Sequence, residues 1–264
     1  MKEVALNWSL IAMVNNDSVL RRTLLASPAI TPRCQVVTKR DFDCAGRAYN
    51  AGLQEAEHEI VVLAHQDVYL PETWLADLSQ ALALLAAKDP QWGVLGVFGI
   101  ASNPRQPSGY CYSTGLKSVL GHPYSHPIET DSLDELVLIM RRSSGLRFDE
   151  GLPGFHLYGT DICLQARSKG LKNYIIPAFC IHNSNGVKSF PVDFWRAYLF
   201  LRRKWWSYLP VRTCCTTITR GCLPALKAIA HDLSDSLSGA RKVGTRVEDV
   251  ANLYRHLSQN SDLT

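Results

Sequence analysis

Apolar residues recur along this chain in short runs and helical stripes that take turns. Residues 8–14 (WSLIAMV) form an unbroken apolar run ending in Asn15-Asn16-Asp17, which predicts a strand opening into a polar loop. A helix is expected over Val19 to Ala26, closed by Ser27-Pro28, and a second short strand over Cys34 to Thr38. From there Ala45, Ala48, Tyr49, Gly52, Leu53 and Ala56 share one helical face, with Asp41 or Asp43 as N-cap. Glu59 to Ala64 is apolar without alternation, as in a strand buried on both faces, and it stops at His65-Gln66-Asp67. Pro71 and Glu72 then open a helix striped by Trp74, Leu75, Leu78, Leu82 and Leu85 and stopped at Lys88-Asp89-Pro90. Further strands are expected at Trp92 to Phe98, Leu136 to Arg141 and Tyr174 to Ile176, the last leading to Cys180-Ile181-His182. Residues 101–127 hold four prolines and three glycines without a period, which predicts a long loop. Gly159-Thr160-Asp161 introduces a helix from Ile162 to Lys169. Strand and helix alternate, so the fold class is α/β, with ligands at the carboxyl edge of the sheet.

Beyond Asp193 the pattern changes. Phe194, Tyr198, Leu201, Trp205 and Tyr208 mark an amphipathic helix that carries Arg196, Arg202, Arg203 and Lys204 and is broken by Pro210. Two more helices are expected, over Leu223 to Leu237 and Val247 to Leu257. The chain thus divides into a body, residues 1–191, and a basic aromatic helical extension, residues 192–264. The formal charge of +4 conceals this division, because residues 192–231 carry +6 by themselves and the remainder sums to −2. A local cationic segment on an acidic body points to an anionic membrane surface met through residues 194–231, and away from nucleic acid. No run approaches the roughly 18 apolar residues of a spanning helix, and the apolar stretch near the N-terminus is too short for a signal peptide. A cytoplasmic protein, peripheral on the inner face of the membrane, is expected. The eight cysteines show no C-x-x-C pair, which excludes a zinc ribbon or a disulfide framework.

Three polar positions end three elements. Asp67 can hold a divalent cation whose other positions go to phosphate oxygens and water, or it can cap the turn that follows. Asp161 either faces the sheet edge or caps its helix. His182 is either a ligand or a hydrogen-bonded structural residue. In an α/β fold the three converge on one crevice.

The segments Ala48 to Leu53, Glu59 to Val68, Arg147 to Glu150, Gly154 to Arg167 and Ile181 to Ser184 together resemble bacterial family-2-like glycosyltransferases. That resemblance spans about residues 8 to 190 and implies a GT-A-type, Rossmann-like, mostly parallel sheet flanked by helices. It makes His65-Gln66-Asp67 the counterpart of an Asp-x-Asp motif, with His65 in place of the first aspartate. It implies Asp67 and His182 as ligands of Mn2+ or Mg2+, and Asp161 as the base of an inverting transfer, preceded by Thr160 where a glutamate is usual. Asn15, Asn16, Asp17, Arg47, Asn50, His65 and Gln66 would hold the nucleotide sugar, UDP- or dTDP-linked for preference. Asp134, Glu135 and His156 would face a glycan or lipid-linked acceptor. Two other readings fit the same residues: a metal hydrolase built on His65, Asp67, His156 and His182, and a nucleotide-sugar-binding module without catalysis.

Overall fold

The computed structural model describes residues 6–186, 189–221, 226–230, 232, 234 and 244–259. Burial on two faces accounts for the unbroken apolar runs. Trp8–Met13 (β1), Cys34–Lys39 (β2) and Ile60–Ala64 (β3) are parallel, in the order β2-β1-β3. Helices Asp17–Arg22 (α1) and Trp74–Lys88 (α3) cover one face of the sheet, and Ala45–Glu55 (α2), Tyr158–Ser168 (α4) and Val192–Lys204 (α5) cover the other. Val61 and Leu63 of β3 enter the second of these cores, Val62 and Ala64 the first, and all four are fully buried. Each such aliphatic side chain as Val or Leu contributes about 1.5–3 kcal/mol on burial.

The remaining strands are Val68–Tyr69 (β4), Val94–Gly96 (β5), Phe98–Ala101 (β6), Pro107–Ser113 (β7), Ser118–Gly121 (β8), Ile128–Leu133 (β9), Val137–Arg141 (β10), Asn173–Ile175 (β11) and Cys180–His182 (β12). One twelve-stranded sheet runs β2-β1-β3-β10-β5-β11-β9-β6-β7-β12-β4, with β8 beside β7. Parallel pairing joins β1 to β2 and β3, β5 to β11 and β7 to β12; the other neighbours are antiparallel, so this α/β sheet is mixed. Residues 101–127 are therefore no plain loop. They contain β7 and β8, whose tyrosines, serines and glycines bury unevenly and leave no readable period.

Local signals set the element ends. Asn16 caps α1 by accepting from the Val19 amide at 3.1 Å, which starts that helix at Asp17. Helix α2 starts after Cys44 with no side-chain cap: Asp41 lies at a left-handed φ of 61°, and Asp43 pairs with Arg47 at 2.9 Å instead. Gly46 admits the neighbouring chain, since a Cβ there would sit 2.4 Å from the Asp149 carbonyl oxygen. Helix α4 starts at Tyr158, which puts Asp161 in its first turn, inside the helix.

Helix α5 turns its aromatic face inward. Phe194, Tyr198 and Leu201 are buried in the same core as α2, α4 and the sheet, while Arg196, Leu199, Arg203 and Trp206 face outward. After a hairpin of Val211–Arg212 and Thr217–Ile218, the expected helix over Leu223 to Leu237 lies partly outside the described residues, with 226–230 helical. The helix Val250–Gln259 occupies the last expected position. Among the described residues, no helix is long and apolar enough to cross a membrane.

Candidate active site

The end of β3 and the end of β12 meet through β4. His65 continues β3 by donating its amide to the Leu136 carbonyl at 3.1 Å, and a tight turn, Val68 N to His65 O, brings the chain round Asp67. Strand β4 then pairs antiparallel with β12, in a register that sets Val68 opposite His182. The Asn183 amide closes the turn on the Asp67 carbonyl at 2.8 Å. One ligand atom from each of His65, Asp67 and His182 falls within 4.8 Å of the others, the arrangement a single cation requires.

Neighbouring groups tune these three side chains. The Nε2 of His65 shares a 2.8 Å hydrogen bond with the Tyr158 hydroxyl, leaving Nδ1 as its other nitrogen. Asp67 places one oxygen 3.5 Å from His182 Nε2 and accepts from the Arg246 guanidinium on the other at 2.9 Å. Burial would raise the Asp67 carboxyl, but the His182 hydrogen bond, the charges of His182 and His65 and the Arg246 bond outweigh it and hold the group well below the usual carboxylate range. Burial also depresses the His65 imidazole; Asp67 opposes that effect and His182 adds to it.

His65, Gln66 and Asp67 floor a crevice of about 490 Å³ that runs to the loops after β1 and β2. Gln66 holds the first of these loops, its side-chain oxygen accepting from the amides of Asn15 at 3.1 Å and Asn16 at 3.0 Å. Lys39, Arg40 and Phe42 form the wall after β2, and Phe155, 42% exposed, faces them.

A mixed sheet with an acidic turn beside a late histidine is the arrangement that comparison with known proteins then places. Residues 9–191 match the model of a glycosyltransferase-like family. The chain belongs to that family. A curated relative from Fuscovulum blasticum, described as "ATP synthase subunits region ORF 6", is 32% identical over 138 residues, which are 51% of this chain and 55% of the relative. The chain thus spans about half the length of the curated relative it matches. Among solved structures, a mannosyltransferase from Pyrobaculum calidifontis in complex with GDP-Man and Mn2+ superposes with a TM-score of 0.51 at 12% identity, over 97% of this chain and 80% of that one. TarS of S. aureus gives 0.48 at 14% identity, over 75% and 39%. The likeness to the mannosyltransferase gives this family member a GT-A-type fold.

Around the crevice of this glycosyltransferase-like protein the expected residues separate. Asn15, His65, Gln66 and Asp67 line it, and His182 adjoins Asp67. Asn16 is the α1 cap, Asp17 pairs with Arg40 at 2.6 Å, and Arg47 pairs with Asp43 on an exposed helix face. Asn50 is buried and holds the Phe148 backbone by two bonds of 2.9 Å, one in each direction. It fixes α2 to the segment leading into α4. His156 lies outside the cation cluster, its ring edge-on to Phe194 at 5.7 Å, so the four-residue hydrolase set is not assembled.

Asp161 is 1% exposed and does not line the crevice. Its oxygens accept from Trp205 Nε1 at 2.7 Å, Gln165 Nε2 at 2.7 Å and Lys204 Nζ at 2.8 Å, and Lys204 also reaches Asp149 at 2.6 Å. Glu135, at the entry to β10, meets the first turn of α4: it accepts from the Gly159 amide at 3.3 Å, and a Cβ on Gly159 would sit 2.7 Å from the Leu133 carbonyl oxygen. Burial and the neighbouring Asp134 push the Glu135 carboxyl up to about 8, against the Gly159 and Leu157 amides. The sequence reading missed Lys39, Arg40, Phe155, Tyr158 and Arg246. Phe155 and Tyr158 carried a signal, both lying in the segment Gly154 to Arg167 that bears the family resemblance.

Proposed function

We propose that the protein transfers a sugar from a nucleotide-sugar donor, UDP- or dTDP-linked for preference, to a hydroxyl of a glycan or lipid-linked acceptor, with inversion. The observation that carries this reading is the cluster of His65, Asp67 and His182, of which His65 and Asp67 line a crevice walled by Lys39, Arg40, Asp41 and Phe42. Two imidazoles and one carboxylate suit Mn2+ better than Mg2+, which prefers oxygen ligands. A divalent cation held there supplies neutralisation of the charge that develops on the departing diphosphate. Asn15, held by Gln66, and the wall at Lys39, Arg40 and Phe42 receive the nucleoside diphosphate. Calorimetry with UDP, dTDP and GDP in Mn2+ or Mg2+, followed by assay of the matching sugar nucleotides, tests the proposal. GDP belongs in that panel because the archaeal neighbour holds GDP-Man. Absence of binding by every nucleotide would overturn it.

In this proposal the acceptor's proton goes to Glu135, with Asp134 and His156 beside the acceptor, because the Asp161 oxygens are already taken by three donors. The base must be ionised, so kcat/KM should climb with pH through about 8 and level off above it. The stability linkage runs the opposite way. The folded state keeps this proton up to about 8, whereas the unfolded chain releases it near 4.5, so the contribution is full below 4.5 and is lost as pH rises through 8. Glu135→Gln should therefore lower kcat by about two to four decades, leave donor affinity unchanged and reduce the loss of Tm as pH rises from 4.5 to about 8. An unchanged kcat would remove Glu135 from the chemistry.

An anionic membrane is the proposed meeting place with a lipid-linked acceptor. The contact falls to the outward residues of 194–231, Arg196, Leu199, Arg203 and Trp206 among them, since Trp195 and Trp205 are buried. Each cation near such a surface contributes about 1 kcal/mol. Co-sedimentation with phosphatidylserine-containing vesicles should fall about tenfold or more in Arg196→Glu/Arg203→Glu and in high salt. Equal sedimentation of the wild type with neutral vesicles would reject the electrostatic contact.

A further inference from the structure

Arg246 comes from the far end of the chain, yet it is built into the cation cluster. Its Nη2 donates to Asp67 at 2.9 Å and its Nε to the Asn183 carbonyl at 3.0 Å, which fixes the plane of the guanidinium beside the site. The backbone around it is tied to the continuation of β12 past His182. The Arg246 amide donates to the Asn185 side chain at 3.2 Å, Val247 and the Asn183 side chain exchange two bonds of 2.8 and 2.9 Å, and the Gly244 amide donates to the Asn185 carbonyl at 2.9 Å. Gly244 passes so close to Gly115 that a Cβ would lie 2.6 Å from its carbonyl oxygen. Beyond this strap, Tyr254 of the helix Val250–Gln259 packs on Tyr69 and Phe179, residues that flank Asp67 and His182 in sequence.

The cluster contains a single carboxylate, because the chain has His65 where a second acid is usual in the family it resembles. Arg246 balances that one charge. A divalent cation approaching Asp67 alone would meet a guanidinium already bonded to one of its oxygens, and two cations on one carboxylate repel. A diphosphate arriving with the cation changes the balance, because it brings charge enough for both and oxygens that match the planar fork of arginine.

We propose that Arg246 is a second cation of the donor site, paired with Asp67 in the free protein and passed to the donor diphosphate when a divalent cation takes Asp67. This rests on the nucleotide-sugar reading above and adds a residue to it. Metal and nucleotide then bind as a unit, each weak without the other.

The test is calorimetry on the full chain with Mn2+ alone, and with UDP, dTDP and GDP in saturating Mn2+, for wild type, Arg246→Gln and Arg246→Lys, with thermal melts confirming that each variant folds. The Gln variant should bind Mn2+ alone about tenfold more tightly and the nucleotide about tenfold more weakly, whereas Lys, which keeps the charge without the fork, should keep wild-type Mn2+ affinity and bind the nucleotide with intermediate strength. Unchanged or weakened Mn2+ affinity in Gln would overturn the proposal, and so would unchanged nucleotide affinity. If no nucleotide binds the wild type, the donor reading fails. The Mn2+ arm still reports whether Arg246 competes for Asp67, so the two failures are told apart.

Discussion

Replacing Asp67 with alanine is expected to abolish cation-dependent nucleotide binding and, with it, turnover. Asp67 is the one carboxylate of the cluster, and its loss leaves His65, His182 and Arg246 around a site with no negative charge. Affinity for Mn2+ should fall by roughly a hundredfold or more, since loss even of groups that only support a ligand costs ten- to a hundredfold. The fold should survive, because the residue sits in a turn held by backbone bonds, Val68 N to His65 O and Asn183 N to Asp67 O. Calorimetry beside circular dichroism decides the matter, and an Asp67→Ala protein that binds Mn2+ and UDP as the wild type does would remove the cluster from the function.

The second large effect concerns stability. Asp161→Ala leaves the Lys204 ammonium with Asp149 as its remaining acid and strands the buried Trp205 indole N–H. Breaking a buried ion pair from one side costs about 3–5 kcal/mol, and the Asp149 contact keeps the expected cost near the lower figure. For a protein of this size that is a fall of roughly 6–12 °C in Tm. Asp161→Leu combined with Lys204→Met should recover only part of the loss, because an apolar pair removes the underpaired ammonium while the buried Trp205 N–H still lacks its acceptor. If instead Asp161→Asn melts like the wild type, binds nucleotide and loses two to four decades of kcat, the base is Asp161 and the assignment to Glu135 is wrong.

Much of this was legible in the sequence, for reasons particular residues make plain. The run from Glu59 to Ala64 reads as a strand because both of its faces are buried, and the stripe from Ala45 to Ala56 reads as a helix because one of its faces is. Family resemblance located His65, Asp67 and His182, and the structure clusters them. Pairings between distant segments were not legible. Nothing near residue 246 announces a partner at 67, and nothing near Asp161 announces that Lys204 and Trp205 close over it. The basic extension was legible only in part for the same reason: a period of aromatic residues marks a helix face without saying whether protein or lipid covers it, and here the core shared with α2, α4 and the sheet covers Phe194, Tyr198 and Leu201. The segment around β7 and β8 was missed because its strands bury tyrosine, cysteine and serine in place of an aliphatic alternation.

The strand order has a kinetic consequence. Strand β11 lies in the middle of the sheet, between β5 and β9, and β12 lies between β7 and β4, although both come late in the chain. A chain emerging during synthesis exposes the unpaired edges of β5, β7 and β9 until residues 173–182 arrive to fill two separate gaps. Long-range closures of this kind are slow, and open edges recruit other chains. The same last insertion delivers His182 to Asp67, so the cluster of His65, Asp67 and His182 is completed only when the sheet is, and a cation held there as proposed would bind only to a chain whose sheet has closed.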